Sequence, residues 1–252
     1  MRPVLCLIVV AASHNSIRSV DFPHWRGPNR NGIVAESSGW SNGKWLAEKP
    51  TWTATVGSGA SSPLVVEGKV YTLGWSGGKD TLRCLDSRDG KELWSVDCRS
   101  TEYGRFHMGD EGLYSGATST PEYDADTKFI YTLGCDGDLN CWDTQAKGKK
   151  VWGLNLYAEY KAERRPKLTR APQRDYGYTS SPLVHGQWLI VEVGSAKGSL
   201  VAFDKKTGKQ VIGTQGRSGP HGRLGANHRR EDPVRRGADA AQPGRDSRRR
   251  RQ

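Results

Sequence analysis

The stretch SSPLVVEGKVYTLGWSGGKDTLRCLDSRDGKELW, Ser61–Trp94, decides the fold because its pattern returns twice further along the chain. The second copy is Ser119–Trp152, STPEYDADTKFIYTLGCDGDLNCWDTQAKGKKVW. The third is Ser180–Ile212, SSPLVHGQWLIVEVGSAKGSLVAFDKKTGKQVI. Their prolines stand at positions 63, 121 and 182, so the period is about 60 residues. A repeat of this length predicts an array of similar units that bury their apolar faces against one another.

Each copy shows the same succession of short strands and turns. A Ser/Thr-Pro pair opens it, an apolar strand and a β-branched strand follow, and a third strand ends at an aspartate. The aspartates are Asp86, Asp143 and Asp204, the turn glycines are Gly90, Gly148 and Gly208, and Trp94 and Trp152 follow in the fourth strands. The aspartate can bond the N–H groups of its own turn, and glycine supplies the positive φ of a hairpin. Four short strands joined by hairpins predict one blade of a β-propeller.

We interpret these repeat positions as structural rather than catalytic. A large flat ring directly after the last turn predicts that Trp94 and Trp152 are wedged between adjacent blades. The third copy has Ile212 where this ring is expected. Cys84 and Cys141 occupy equivalent sites, which favours small buried strand residues over a disulfide.

The pattern of Asp, Gly-Lys and Trp after an apolar strand resembles the repeat of pyrroloquinoline-quinone (PQQ) dehydrogenases. It is also similar to non-enzymatic propellers of that family, including the scaffold lipoprotein of outer-membrane protein assembly. The resemblance covers roughly Trp25–Gly213; Asp21–Gly32 resembles the start of mature exported members, and Trp52 a closing strand. It implies an all-β fold: a partial, open propeller of about three four-stranded blades, near 61–97, 119–156 and 180–213, plus an N-terminal strand. Closed members are implied to have about seven or eight blades, so a fragment of a longer propeller is expected.

The N-terminus MRPVLCLIVVAAS has the layout of a secretory signal peptide, with one arginine, an apolar run and then small residues. We expect residues 1–20 to be a signal peptide with a short leader, and residues 21–216 to be the repeat domain. The protein would then be exported to the periplasm or the extracellular space. The apolar run is too short for a transmembrane anchor. An ordinary buried N-terminal strand is the alternative.

The composition changes abruptly at the C-terminus. Residues 217–252 hold eleven arginines and four acidic residues, with no lysine and no aromatic residue. We predict a disordered tail and interpret it as out-of-frame translation of GC-rich coding sequence; a genuine basic tail is the rival interpretation. Arg248–Arg251 could bind phosphates, but an exported body argues against specific nucleic-acid binding.

Two long insertions between repeats are candidate ligand loops, because propeller function usually lies on loops that cover one face. The residues that could bind an anionic or sugar-like ligand there are Arg105, His107, Arg170, Arg174 and Tyr176. The alternative is that both loops are solvated connectors. Asp136, Asp138 and Asn140 have calcium-loop spacing, but the glycine and distal glutamate of a full EF-hand loop are absent, so no metal site is predicted.

The function expected from these features is a non-catalytic scaffold that binds a protein partner or ligand on the propeller face. The alternative is a fragment of a PQQ-dependent dehydrogenase, and PQQ with calcium is expected only under that alternative. The resemblance implies that true quinoprotein dehydrogenases carry adjacent cysteines and a set of calcium ligands. This chain has no Cys-Cys pair, and no catalytic residue of the family can be mapped onto it.

Overall fold

The computed structural model describes residues 21–35, 49–100, 116–162, 177–195 and 198–213. In these ranges the chain forms three four-stranded antiparallel sheets, each with its strands in sequence order. The prediction of all-β propeller blades is confirmed. The expected signal peptide, the arginine-rich tail and the five candidate ligand residues lie outside the described residues.

Blade 1 consists of β1 (Leu64–Val66), β2 (Lys69–Ser76), β3 (Lys79–Asp86) and β4 (Glu92–Arg99). Blade 2 consists of β5 (Glu122–Asp124), β6 (Phe129–Leu133), β7 (Asp138–Asp143) and β8 (Lys149–Asn155), followed by the helix α1 (Leu156–Tyr160). Blade 3 consists of β9 (Leu183–His185), β10 (Trp188–Ser195), β11 (Gly198–Asp204) and β12 (Gln210–Gly213). Each blade is therefore a simple meander built from one repeat.

A β-bulge lies at the same place in the fourth strand of every blade. In blade 1, Cys84 pairs with Trp94 and the neighbouring Leu85 pairs with Glu92, so Leu93 has no partner opposite it. Register shifts at the equivalent points of blades 2 and 3 leave out Val151 and Val211. All three bulged side chains are exposed. The bulge interrupts the alternation of faces, so the next residue points toward the following blade.

The tryptophans fill the contacts between successive blades. The indole of Trp94 lies so close to Gly148 of blade 2 that a Cβ there would be 2.7 Å from its Cζ3 atom. Trp152 lies in the same way against Gly208 of blade 3, and Trp52 against Gly90 of blade 1. Each turn glycine therefore has two roles. It adopts the positive φ that the turn requires, and its lack of a side chain leaves room for the tryptophan ring of the preceding unit.

Two apolar cores lie between the blades. The first joins blade 1 to blade 2; it contains Leu64, Tyr71, Leu82, Cys84, Tyr123, Ile130 and Trp142. The second joins blade 2 to blade 3; it contains Tyr131, Leu133, Leu139, Cys141, Leu189, Val191 and Phe203. Cys84 and Cys141 are both fully buried free thiols, one in each core.

The helix α1 was not expected from the sequence. Asn155 caps it by accepting a hydrogen bond from the N–H of Ala158 at 3.1 Å. Its residues Leu156 and Tyr160 are buried in the second core, and the Tyr160 hydroxyl donates to Gln210 of blade 3 at 2.9 Å. One helical turn is too short to show a periodic apolar pattern, which explains why no helix was expected here.

The far side of blade 3 is open among the described residues. Ile212 pairs with Ala202 as Trp94 pairs with Cys84, so it holds the tryptophan position of the repeat. Its side chain is 47% exposed. The described residues contain no helix with the length and apolarity that crossing a bilayer requires.

Candidate functional site

The first strands of the blades form the inner edge of the array, where β5 and β9 contact each other directly. The Ser/Thr that precedes each repeat proline links these edges. The N–H of Ser62 donates to Thr120 Oγ1 at 3.1 Å, and the N–H of Thr120 donates to Ser181 Oγ at 3.0 Å. The Ser/Thr-Pro pair that opens each repeat therefore ties each blade to the next one.

The N-terminal segment 21–35 lies along this inner edge. Phe22 and Val65 of β1 exchange two backbone hydrogen bonds, of 2.6 and 3.0 Å. The carbonyl of Pro23 accepts a hydrogen bond from the N–H of Tyr123 in β5 at 3.4 Å. In the sequence, Asp21–Gly32 resembles the start of mature exported family members. The sequence did not show that this segment contacts both blade 1 and blade 2.

Glu122 of β5 anchors the N-terminal segment. Its side chain is 1% exposed. Its carboxylate accepts hydrogen bonds from both terminal nitrogens of Arg30, and the Nδ1 atom of His24 lies 3.1 Å from Oε2. It also accepts the N–H of Val184 in β9 at 2.9 Å. One carboxylate thus joins the N-terminal segment to blades 2 and 3.

A cavity of about 280 Å³ opens between the N-terminal segment and the ends of β1 and β5. We call it the inner cavity. It is lined by Asp21, Pro23, His24, Arg30, Val66, Glu67, Tyr123, Asp124, Ala125 and Val184. Its lining carries charges of both signs together with an aromatic ring, which suits a polar ligand or a partner side chain.

The acidic groups of this lining are engaged with basic neighbours. Asp124 forms a buried ion pair with Lys205 of blade 3, whose Nζ atom lies 2.8 Å from Oδ2. Burial alone would raise the pKa of Asp124, but hydrogen bonds from Lys205 and Thr127 hold it below its usual value. Glu67 pairs with Lys128 across blades 1 and 2 at 2.8 Å, and this pair is largely exposed.

Lys205 also connects the ion pair to the tryptophan contact. Its backbone carbonyl accepts hydrogen bonds from the Tyr131 hydroxyl at 3.0 Å and from Trp152 Nε1 at 3.1 Å. The equivalent residue in blade 1, Ser87, accepts the indole N–H of Trp52 at 2.9 Å. The buried ammonium is a feature of blade 3, because blades 1 and 2 carry Ser87 and Thr144 at this position.

The repeat aspartates lie in exposed turns at the outer end of each third strand. Asp86 accepts the N–H of Arg88 at 2.9 Å, and the hydrogen bonds from the Arg88 side chain and from this N–H lower the pKa of Asp86 to about 2. Asp143 accepts the N–H of Gln145 at 2.8 Å. Asp204 accepts the N–H groups of Lys206 and Thr207 at 3.1 and 2.8 Å. The structure does not bring these carboxylates together.

The residues with calcium-loop spacing lie at the turn between β6 and β7. Asp138 Oδ1 accepts a hydrogen bond from Asn155 at 3.0 Å, and Asn140 is buried with its amide 3.8 Å from Cys98 Sγ. Within the described ranges, no three His, Cys, Asp or Glu side chains are arranged to hold a metal ion. The sequence did not point to Glu122 or Lys205, although each departs from the residue at its position in the other repeats.

Comparison with known proteins gives one family. The family model described as outer membrane protein assembly factor BamB matches residues 45–111 and 78–225. The chain is also similar to the dehydrogenase subunit of the alcohol dehydrogenase (quinone) of Komagataeibacter europaeus, with 30% identity over 153 residues. That match covers 59% of this chain and 18% of the relative.

Further relatives and structures show the same partial coverage. The quinohemoprotein alcohol dehydrogenase ADH-IIG of Pseudomonas putida is 24% identical over 155 residues, 60% of this chain and 18% of that protein. BamB from Moraxella catarrhalis has a TM-score of 0.38 at 19% identity, covering 67% of this chain and 41% of that one. A europium-containing methanol dehydrogenase has a TM-score of 0.43 at 16% identity, covering 66% and 26%. The chain spans 18% of the length of the curated relatives it matches.

Proposed function

We propose, because this chain belongs to the family described as outer membrane protein assembly factor BamB, that it is a non-catalytic propeller scaffold that binds a protein partner. The whole protein's activity is part of this proposal, since the matched relatives are several times longer than the region they share with this chain. The partner would bind on the propeller face that carries the inner cavity.

One observation carries the proposal: the charged groups at the inner cavity bind one another. Glu122 is held by Arg30 and His24, and Asp124 is held by Lys205. A general acid or base must exchange a proton with its substrate, so it needs a lone pair or proton that the fold does not use. Side chains whose charges are used in hydrogen bonds and ion pairs between the blades stabilise a binding surface instead.

The position of these ties supports a preformed binding surface. They connect the N-terminal segment, blade 2 and blade 3 through side chains that are mostly buried. A surface fixed before the encounter loses little conformational entropy on binding. The mixed charges of the cavity lining would then select a partner by the placement of its polar groups.

Cross-linking in cells tests the scaffold role. A photoreactive amino acid at Glu67, which lines the inner cavity and is exposed, should trap a protein adduct. The same amino acid at Leu93, an exposed bulge residue on the outer strand of blade 1, is the matched control and should not trap that protein. Equal adducts from both positions, or none from Glu67, would overturn the proposal.

We also propose export, which rests on the N-terminal sequence MRPVLCLIVVAAS. A fusion of residues 1–35 to alkaline phosphatase, which is active only after export, should give phosphatase activity. Replacing Leu7 and Val9 by arginine should abolish the activity, because charges interrupt the apolar run. Activity that survives this change would contradict a signal peptide.

The second candidate function is a fragment of a PQQ-dependent dehydrogenase. It is favoured by the 30% identity to quinone-dependent alcohol dehydrogenase subunits. Calorimetric titration of the full chain with PQQ and calcium distinguishes the two functions. The scaffold proposal expects no saturable heat, whereas saturable binding would favour the dehydrogenase.

A further inference from the structure

A second polar region lies between blades 1 and 2, at the end of the blades opposite to the inner cavity. Asp80 of β3 pairs across the sheet with Trp75 of β2 and Cys98 of β4. Its side chain points toward blade 2, where a Cβ at Gly134 would lie 2.7 Å from Oδ2. We call this region the acidic cleft.

In the part of the chain that the structure describes, the carboxylate of Asp80 has no well-aligned hydrogen-bond partner. Asp80 is 2% exposed, and neither of its oxygens has a partner in hydrogen-bonding geometry among the described residues, although the Ser100 hydroxyl lies near enough to lower its pKa. Ser100 is 3% exposed, and its hydroxyl likewise has no partner in hydrogen-bonding geometry. Buried polar groups in folded proteins are nearly always bonded, so two such groups side by side point to something that the cleft holds.

Two further carboxylates face Asp80 from blade 2. Burial raises the pKa of Asp80, the neighbouring Ser100 hydroxyl lowers it, and the negative charges of Asp136 and Asp138 raise it, so that together they bring the pKa to about 6. Lys150 is the nearby cation, since its charge partly offsets the burial that raises the pKa of Cys98. Its ammonium lies 5.0 Å from the centre of the Trp142 ring and does not bond to Asp80. Asp80 therefore lies in a negative surrounding, and no lysine or arginine of the described residues binds its carboxylate.

We propose that the acidic cleft binds a hard divalent cation of the calcium type between blade 1 and blade 2. Carboxylate and hydroxyl oxygens are the ligands such ions prefer, and calcium accepts water among its six to eight ligands. Asp80 would be the direct carboxylate ligand. Since no three acidic, cysteine or histidine side chains of the described residues stand at ligand spacing, Asp136 and Asp138 would act through water.

The cation would join the two blades. Asp80 belongs to blade 1, while in blade 2 Asp136 lies in the β6–β7 turn and Asp138 is the first residue of β7. The positive ion would offset the repulsion that Asp136 and Asp138 exert on Asp80 across this contact. The site is separate from the inner cavity, so it can fail without affecting the proposed partner binding.

Terbium luminescence tests the site directly, because the indole of Trp75 is the cross-strand neighbour of Asp80 and can excite a bound terbium ion. At pH 7.5 we expect saturable luminescence from the full chain that calcium displaces. Asp80→Asn should abolish it, and Trp75→Phe should reduce it. Asp97→Asn is the matched control, since Asp97 lies on the same blade and is exposed in a pair with Lys79.

Thermal unfolding gives a second readout that does not depend on the probe. Calcium at about 100 times its Kd should raise the Tm of the full chain and of Asp97→Asn by about 5 °C relative to EDTA. Asp80→Asn should fold with a Tm that calcium does not change. An equal calcium response in both variants would overturn the proposal. So would a stability that follows pH alone, because a proton would then neutralise Asp80.

Discussion

The two contacts between blades share one apolar plan and differ in their polar groups. In both, a tryptophan packs against a turn glycine of the next blade, Trp94 in the first contact and Trp152 in the second. The second contact adds an ion pair between Lys205 and Asp124, whereas the first contains Asp80, which no described residue pairs with. The residues that the repeats share therefore set the geometry of both contacts. The residues that differ between repeats set how the stability of each contact depends on pH and on ions.

The shared part of this comparison should dominate stability. Trp94→Ala and Trp152→Ala should each cost about 3 kcal/mol, because each removes a ring that packs on the next blade and on a tyrosine at 5.9 Å. Ile212→Ala, at the equivalent but 47% exposed position, should cost well under 1 kcal/mol. Urea unfolding measures all three. An Ile212 variant as damaged as the tryptophan variants would mean that this face is covered.

Removing the Lys205–Asp124 ion pair measures how much this pair contributes to the stability of the second contact. Lys205→Met should lower the free energy of unfolding by about 3 kcal/mol, because it leaves the Asp124 carboxylate buried without its cation. Adding Asp124→Asn should recover part of the loss. Lys128→Met is the control, since its pair with Glu67 is largely exposed and should contribute less than about 1 kcal/mol. Equal losses for the two lysines would contradict the comparison.

The two contacts should also respond to pH in opposite directions. The pKa of Asp80 in the folded chain is about 6, above the ordinary 3.8, so the unfolded chain loses this proton first. In EDTA the free energy of unfolding should therefore fall by about 2 kcal/mol as pH rises from about 4 to about 6, and then level off. Asp124 has a lowered pKa, so its contribution is present above about pH 4 and is lost in acid.

Urea unfolding of the Asp80→Asn variant across pH 4 to 8 checks the sign. The decline between pH 4 and 6 should disappear, while the loss of stability below pH 4 should remain. A variant that keeps the full decline would show that another group causes it.

The smallest expected effect tests how tightly the tryptophan is wedged. Gly148→Ala and Gly77→Ala both place a side chain at positive φ, which costs about 1 kcal/mol. A Cβ at Gly148 also meets the Trp94 ring, whereas a Cβ at Gly77 has nothing within 4 Å. Gly148→Ala should therefore be about 1 kcal/mol worse in thermal or urea unfolding. Equal costs would mean that the ring can move aside.

The sequence predicted what the repeats share and missed what they do not. Strand ends at Asp86, Asp143 and Asp204 follow from three aligned copies, because a structural position recurs in each blade. Glu122 stands where the other copies have Leu64 and Leu183, so a polar exception at an apolar repeat position was the available signal.

The partners of such exceptions could not be read from the sequence. Arg30 lies 92 residues before Glu122, and Lys205 lies 81 residues after Asp124. No local pattern fixes contacts of this range; they depend on which faces of two blades meet. The short helix α1 was missed for a different reason, since its single turn is capped by Asn155 and stabilised by burial against blade 3.

The hydrogen bonds at Ser62, Thr120 and Ser181 give the array a direction. Thr120 accepts a hydrogen bond on its hydroxyl oxygen from blade 1 and donates its N–H to blade 3, so the links run in one direction along the chain. A gene segment cut at successive Ser/Thr-Pro pairs would therefore carry both halves of the joint. Duplicating such a cassette should reproduce this hydrogen-bonded link at each new junction, which makes the sixty-residue unit a natural module for lengthening the protein.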